Sequence, residues 1–254
     1  MREYTHFYYD GISSMEMGLI NVNVSGGLLE ESFLPSRKIN ETKIRGNDKP
    51  YFSSIERESL EFELQFAFEN GFDKKKLVKV AKWLDQEYYK EFYFVENPDI
   101  RFFCMIDDDS QLTHNGLNQG YISITMKCDS PYKYSQEYLS HELDFSTNTV
   151  DGTNYEFMNH GHKILKPELW IYKVGDGDVE IINRANNQFF QFINLKDGET
   201  VYVDNEGEHI ETDLVGTYRF DNFNDEYLEL ETGRNILNIK GKCKLQFRYR
   251  FKFL

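Results

Sequence analysis

"ESLEFELQFAFE", Glu58 to Glu69, decides the fold class of this chain. Leu60, Phe62, Leu64, Phe66 and Phe68 fall on every second position, with Glu61, Glu63, Gln65 and Ala67 between them. Successive side chains of an extended strand leave opposite faces, so the pattern sorts an apolar face from a mostly polar one. A helix would scatter the same residues around its circumference. The stretch is therefore a half-buried antiparallel strand, with one face on a core and the other in water.

The same alternation recurs on either side. "INVNVS" (Ile20 to Ser25) is expected to turn Ile20, Val22 and Val24 to one face. "YISITMKC" does so with Ile122, Ile124, Met126 and Cys128, and the closing "KLQFRYRFKF" with Leu245, Phe247, Tyr249, Phe251 and Phe253. One segment departs from the pattern. "FDKKKLVKVAKWLDQEYY" spaces Leu77, Val80, Ala81, Leu84 and Tyr88 as a helix does, with Asp73 placed as its N-cap. Lys74, Lys75 and Lys76 occupy the first turn, where the helix dipole disfavours cations, so surrounding acids or a partner are expected to neutralise them. Residues 26–52 show weak periodicity over a length unusual for a connection, which predicts a functional extension or a pair of loosely held strands.

"DSPYKYSQEYLSHE" is rich in turn formers and reads as a domain boundary, dividing the chain into 1–135 and 136–254. Beyond it, short strands recur between Gly, Asn and Asp turns, the spacing of a β-sandwich or jelly roll. A chain of 254 residues can bury two such cores without disulfide or metal staples. Its formal charge of −14 argues against a nucleic-acid surface or an anionic membrane surface, both of which call for clustered Lys and Arg. Cys104, Cys128 and Cys243 are odd in number and widely spaced, which suits a reducing compartment and makes neither a disulfide framework nor a zinc pattern. No apolar leader or membrane-length apolar run is visible, so synthesis as a soluble protein in a cytoplasm is expected.

Chemistry-bearing clusters are few. "DNFNDEYLELETGRN" (Asp221 to Asn235) gathers Asp221, Asp225, Glu226, Glu229 and Glu231. A glycosidase needs two carboxylates facing across a cleft, one of them desolvated. Here Leu228 and Leu230 alternate with Glu229 and Glu231, which predicts a hairpin arm whose acids are its wet face. "NHGH" sets His160 and His162 two apart without a visible third ligand, and reads as a polar turn. "DDDS" (Asp107 to Ser110) and "GDGD" (Gly175 to Asp178) lack the spaced ligands of a calcium loop and read as hairpin turns. No nucleophile elbow, phosphate loop or dinucleotide fingerprint occurs. Neither a catalytic site nor a cofactor or metal is expected. In "ELWIYKV", Leu169 and Ile171 share one face and Trp170 and Tyr172 the other. That aromatic pair is either packed against something or a sugar platform.

The order of "FYYDGISSMEMGL", "FLPSRKI", "IRGNDKPYF", "LEFELQFAF", "VAKWLDQEYYKEF" and "CDSPYKYS" resembles the distal tail protein (Dit) family of siphophage and prophage tail tips. "KPELWIYKVGDGDVEIIN" and "FNDEYLELETGRNILNIKGKC" look like the galectin-like β-sandwich of the same family. The resemblance implies a mainly β protein: an N-terminal β-barrel-like domain with one α-helix, then a galectin-like jelly roll. It also implies a structural role at the virion tail tip. Six copies would form a ring joining the tail tube protein to the tail-associated hub protein and receptor-binding proteins. Within it, 1–135 would build the ring and 136–254 would project from it. The long stretch would be an inter-subunit arm anchored by Leu28, Leu29, Phe33, Leu34, Tyr51 and Phe52, since docking on a neighbour would offset an ordering cost of about 1–2 kcal/mol per residue. The rival reading is a carbohydrate-binding sandwich used in host adsorption, with Trp170 and Tyr172 as its platform. A glycoside hydrolase using Asp221, Asp225 or Glu229 stands behind both. Lys244, Arg248, Arg250 and Lys252 make a basic face on the last strand, to be met by a neighbouring acidic patch or left to solvent.

Overall fold

The computed structural model describes residues 5–22, 36–107, 111–115 and 119–254. The chain divides into two compact units, Met1–Tyr134 with Leu254, and Ser135–Phe253.

Among the described residues, the first unit is built on one curled, eight-stranded antiparallel sheet. Its strands lie in the order Ile12–Ser13, Phe7–Tyr9, Lys90–Phe94, Phe102–Ile106, Gly120–Cys128, Glu61–Phe68 and Leu19–Asn21, with Gln111–His114 as a further partner of Gly120–Cys128. Asn21 N–H at one edge donates to Thr5 O beside the other, so the sheet curls toward closure as a barrel. The decisive alternating strand lies where its pattern predicts: Leu64, Phe66 and Phe68 are buried, and Leu64 and Phe66 stand opposite Ile124 and Ile122. Of "INVNVS", residues 23–25 lie outside the described residues, and Ile20 and Val22 are half-buried, as is Asn21 between them. Leu19, paired with Phe68, enters the core and Ile20 is only half-buried, because pairing with Glu61–Phe68 settles which side of this short edge strand faces inward.

The helix spans Lys74–Leu84, and the Asp73 carboxylate accepts from Lys76 N–H at 2.7 Å as its cap. Its buried side chains are Val80, Trp83 and Leu84, whereas Ala81 and Tyr88 are exposed. Trp83 decides this: it stacks on Phe7 at 5.7 Å and donates from Nε1 to Tyr9 O at 2.9 Å, which rotates the helix toward the sheet's aromatic core. Nor do acids answer the lysine-rich first turn at Lys76. Its ammonium donates to Gly18 O and Gly71 O at 3.3 and 3.2 Å and lies over the Phe68 ring.

The second unit is a two-sheet sandwich. Six strands form one layer, in the order Tyr138–Leu139, Cys243–Tyr249, Glu168–Lys173, Thr200–Asp204 and His209–Thr212, with Leu143–Asp144 also on Cys243–Tyr249. The other layer orders Thr153–Asn159, Gly233–Lys240, Gly177–Asn183 and Gln188–Leu195. Inward positions of both layers share one core, among them Leu169, Ile171, Val201, Phe247, Ile181, Phe190, Phe192 and Leu237. This is how alternating strands bury their apolar faces when two sheets stack. No helix of the described residues is long and apolar enough to cross a membrane.

Candidate functional site

Arg37–Thr42 and Tyr51–Arg57 form a two-stranded antiparallel hairpin that pairs with no other strand among the described residues. This part of the long stretch therefore contains a pair of strands, the second running on to Arg57. Ile39 stands opposite Ile55 and Thr42 opposite Tyr51, with a register shift between Asn40 and Glu41. Period-two alternation sends the neighbours Tyr51 and Phe52 to opposite faces. Large apolar side chains lie in the open: Ile39 is 52% exposed, Tyr51 58% and Phe52 64%. A lone two-stranded hairpin is marginal in water, and this one has no core of its own. Polar cross-strand contacts help to hold it, chiefly Asn40 Nδ2 donating to Glu56 Oε1 at 2.7 Å and to Ser54 Oγ at 3.1 Å. Leu28, Leu29, Phe33 and Leu34 lie outside the described residues. Ile39 and Ile55, absent from the expected anchors, share a face with Phe52, because Glu41, opposite Phe52, lies on the same face of its strand as Ile39; their alternation with polar residues was the available signal.

In the sandwich, Leu169 and Ile171 are wholly buried and Trp170 and Tyr172 lie half-buried on the outer face. Trp170 packs against Tyr202 of the neighbouring strand at 5.0 Å, and the Arg248 guanidinium lies over its ring. Glu168 ties the cluster together, accepting from Tyr202 Oη at 2.5 Å and from Arg248 Nη2. Burial and the Glu168 hydrogen bond push the Tyr202 hydroxyl up to about 12, so it stays a proton donor. Tyr172 Oη donates to Gln246 Oε1 at 3.3 Å. Trp170 thus packs on side chains of its own sheet and Tyr172 is hydrogen-bonded there; Tyr202 and Glu168 are the members that the sequence pattern left unassigned, and Arg248 stood only in the basic face.

The basic face of the last strand meets acids of the same unit. Lys244 pairs with Glu142 at 2.8 Å, Arg250 with Glu137 at 3.2 Å, Arg248 with Glu168 and Lys252 with Glu206. None of these partners belongs to the acidic stretch 221–231. That stretch is not a hairpin arm either. Leu228 and Leu230 are buried as their alternation predicts, but the backbone around them is pegged by side-chain amides. Leu228 N–H donates to Asn205 Oδ1, Glu229 N–H to Gln188 Oε1 and Glu231 N–H to Asn235 Oδ1, at 2.7–2.8 Å. The Glu229 carboxylate faces Lys166 at 3.0 Å. Asp221 sits in the short helical turn Phe220–Asn222, and Asp225 takes a left-handed backbone conformation.

His160 and His162 rest edge-on against Phe251 and Phe253. In "GDGD" the carboxylates serve turns: Asp176 accepts from Asp197 N–H and Asp178 from Asn194 N–H, each at 2.9 Å. Among the described residues no three His, Cys, Asp or Glu side chains group as metal ligands would. Of "DDDS", residues 108–110 lie outside the described part.

Comparisons with known proteins identify the family to which the chain belongs. A family model described as "Phage tail protein N-terminal domain" matches residues 2–130, and one described as "Phage tail C-terminal domain" matches residues 138–249. The SPbeta prophage-derived uncharacterized protein YomH of Bacillus subtilis (strain 168) is 36% identical over 255 residues, covering 100% of each chain. The fold is similar to that of the Dit (gp 19.1) protein of phage SPP1, whose crystal structure is described as a paradigm of the hub adsorption apparatus in phages infecting Gram-positive hosts. That match has a TM-score of 0.73 at 14% identity and covers 97% of this chain and 98% of the other. A chain of the phage P2 baseplate in its activated conformation is similar at a TM-score of 0.52 and 8% identity, over 96% and 97% of the two chains. On the family models and the full-length relative together, this chain belongs to a family of phage tail proteins, structural components with a Dit-like fold rather than enzymes.

Proposed function

We propose that the protein is a structural subunit of the tail tip, a baseplate hub that closes into a hexameric ring. In this reading the ring joins the tail tube protein to the tail-associated hub protein and, beyond it, to receptor-binding proteins. The observation that carries it is the likeness of fold to a phage hub protein over nearly the whole length of both chains. The bare hairpin supports a ring as well, since docking on the next copy would cover apolar side chains that its own unit leaves open. Closed cyclic assemblies use head-to-tail contacts, and a specific one buries roughly 1,000 Å² or more.

Residues 1–135 would build the ring, with the hairpin and the segment before it as the inter-subunit arm. Residues 136–254 would form the peripheral, galectin-like sandwich. Acidic side chains lining a central channel would repel passing DNA rather than hold it. The Arg248 guanidinium over Trp170 weakens the sugar-platform rival, because a stacking saccharide would compete with it for the ring.

Light scattering over a concentration series tests the proposal. A species of several subunits, with rings in electron micrographs, is expected. A strict monomer at the highest soluble concentration would overturn it.

A further inference from the structure

Cys104 and Cys128 stand directly opposite one another on the neighbouring antiparallel strands Phe102–Ile106 and Gly120–Cys128. The next pair along, Phe103 and Asp129, is bonded across the strands by Asp129 N–H donating to Phe103 O at 2.9 Å. Cys128 N–H points the other way and donates to Leu60 O at 2.7 Å. In an antiparallel ladder bonded and non-bonded pairs alternate, so Cys104 and Cys128 form a non-hydrogen-bonded pair. Such pairs bring their Cα atoms to about 4.5 Å, with both side chains leaving the same face. A disulfide accepts Cα separations of roughly 4.4–6.8 Å. Both side chains lie in the same core, 0% and 1% exposed, and both thiols are free. Cys243 is equally buried but stands opposite Lys173, which makes it an internal control.

We propose that Cys104 and Cys128 are a latent cross-link site, closing into a strand-to-strand disulfide when the protein passes from a reducing to an oxidising medium. The oxidant class is a small-molecule disulfide. One cysteine, as thiolate, attacks it and expels one thiolate, leaving a mixed disulfide. The other cysteine, deprotonated in turn, attacks that mixed disulfide and expels the second. The Sγ–Sγ bond forms, both protein thiols lose their protons, and the two electrons leave with the reagent as two small thiols.

Burial pushes both thiols above their ordinary range, Cys128 to about 12, so thiolate is scarce in the closed sheet. Oxidation therefore waits on local opening of the strands and speeds up as pH rises. Once formed, the bond would tie together two central strands of the sheet. That this happens on leaving the host rests on the tail-protein reading; the chemistry of the pair does not.

The full-length chain would be refolded from denaturant in oxidised and reduced glutathione at mildly alkaline pH, then alkylated, digested and analysed by mass spectrometry. The expected product has lost the mass of two hydrogens and yields one cross-linked peptide joining Cys104 to Cys128. Cys243 should be recovered alkylated. The thermal midpoint should rise and return on adding dithiothreitol, and Cys128→Ser should abolish both the cross-link and the rise. Recovery of Cys104 and Cys128 as free thiols or as separate glutathione adducts would overturn the proposal, as would a bond to Cys243. Refolding in the redox buffer gives the reagent access to every thiol, and the readout is the same for a monomer or a ring.

Discussion

Arg219 lays Nε and Nη2 on the two carboxylate oxygens of Glu199, each at 2.6 Å, with both side chains buried. Thr212 Oγ1 and Lys196 N–H complete the shell around the carboxylate, and Arg219 Nη1 donates to Asn222 Oδ1. The pair therefore holds the loop through Phe220–Asn222 to the sandwich. Arg219→Ala would leave a buried carboxylate unpaired, and a loss of about 3–5 kcal/mol is expected from urea melts. Burial alone would push the Glu199 carboxyl up, but the hydrogen bonds from Arg219, Lys196 N–H and Thr212 outweigh it and hold it below its ordinary value. A depressed carboxyl adds stability that is present above the unfolded-state pKa, about 4.3. That stability is lost as pH falls through the folded value. Melts taken from neutral pH into the acid range should thus lose stability below about pH 4, and Glu199→Gln should flatten that limb. An unchanged slope in the Gln variant would assign the acid sensitivity elsewhere.

Among the elements, Tyr227 to Glu231 is held by borrowed donors and acceptors rather than by a strand partner along its length. Asn205, Gln188 and Asn235 accept from its amides, while Asn183 and Gln188 donate to its carbonyls. A buried backbone amide left without an acceptor costs about 1–3 kcal/mol, so Asn205→Ala should lower stability by that amount. Hydrogen exchange should quicken first at Leu228. The helix depends on a simpler device. Asp73→Ala removes its cap and should cost about 1 kcal/mol, read as a lower thermal midpoint of the first unit.

For the whole molecule, each unit has its own hydrophobic core, so fragments 1–134 and 135–254 should each unfold cooperatively. If the arm locks the ring, the first fragment should reach the oligomeric state of the full chain and the second should stay monomeric. Tyr51→Ser combined with Phe52→Ser should reduce assembly while changing monomer stability by no more than about 0.5 kcal/mol, because both side chains are exposed within their own chain. Sedimentation of the variant beside the parent checks this. Rings formed by the second fragment alone would move the seam to the sandwich.

The sequence by itself determined what repeats at short range. Leu64, Phe66 and Phe68 announce a half-buried strand because period-two alternation needs only neighbouring residues, and Asp73 announces a helix start for the same reason. Leu228 and Leu230 betray their burial in the same way. The side-chain acceptors for Leu228 N–H and Glu229 N–H, Asn205 and Gln188, lie 23 and 41 positions away and share no pattern with them. Trp83 was missed for a related reason: a helix's apolar stripe is broad, and only the place of Phe7 and Tyr9 selects which part of it turns inward. Tertiary structure also decided that the last strand's cations pair with Glu137, Glu142, Glu168 and Glu206, and that Cys104 faces Cys128. Strand order and register bring such residues together, and register is settled by which complete set of side chains fills the core, a property of the packed sheet rather than of any one strand.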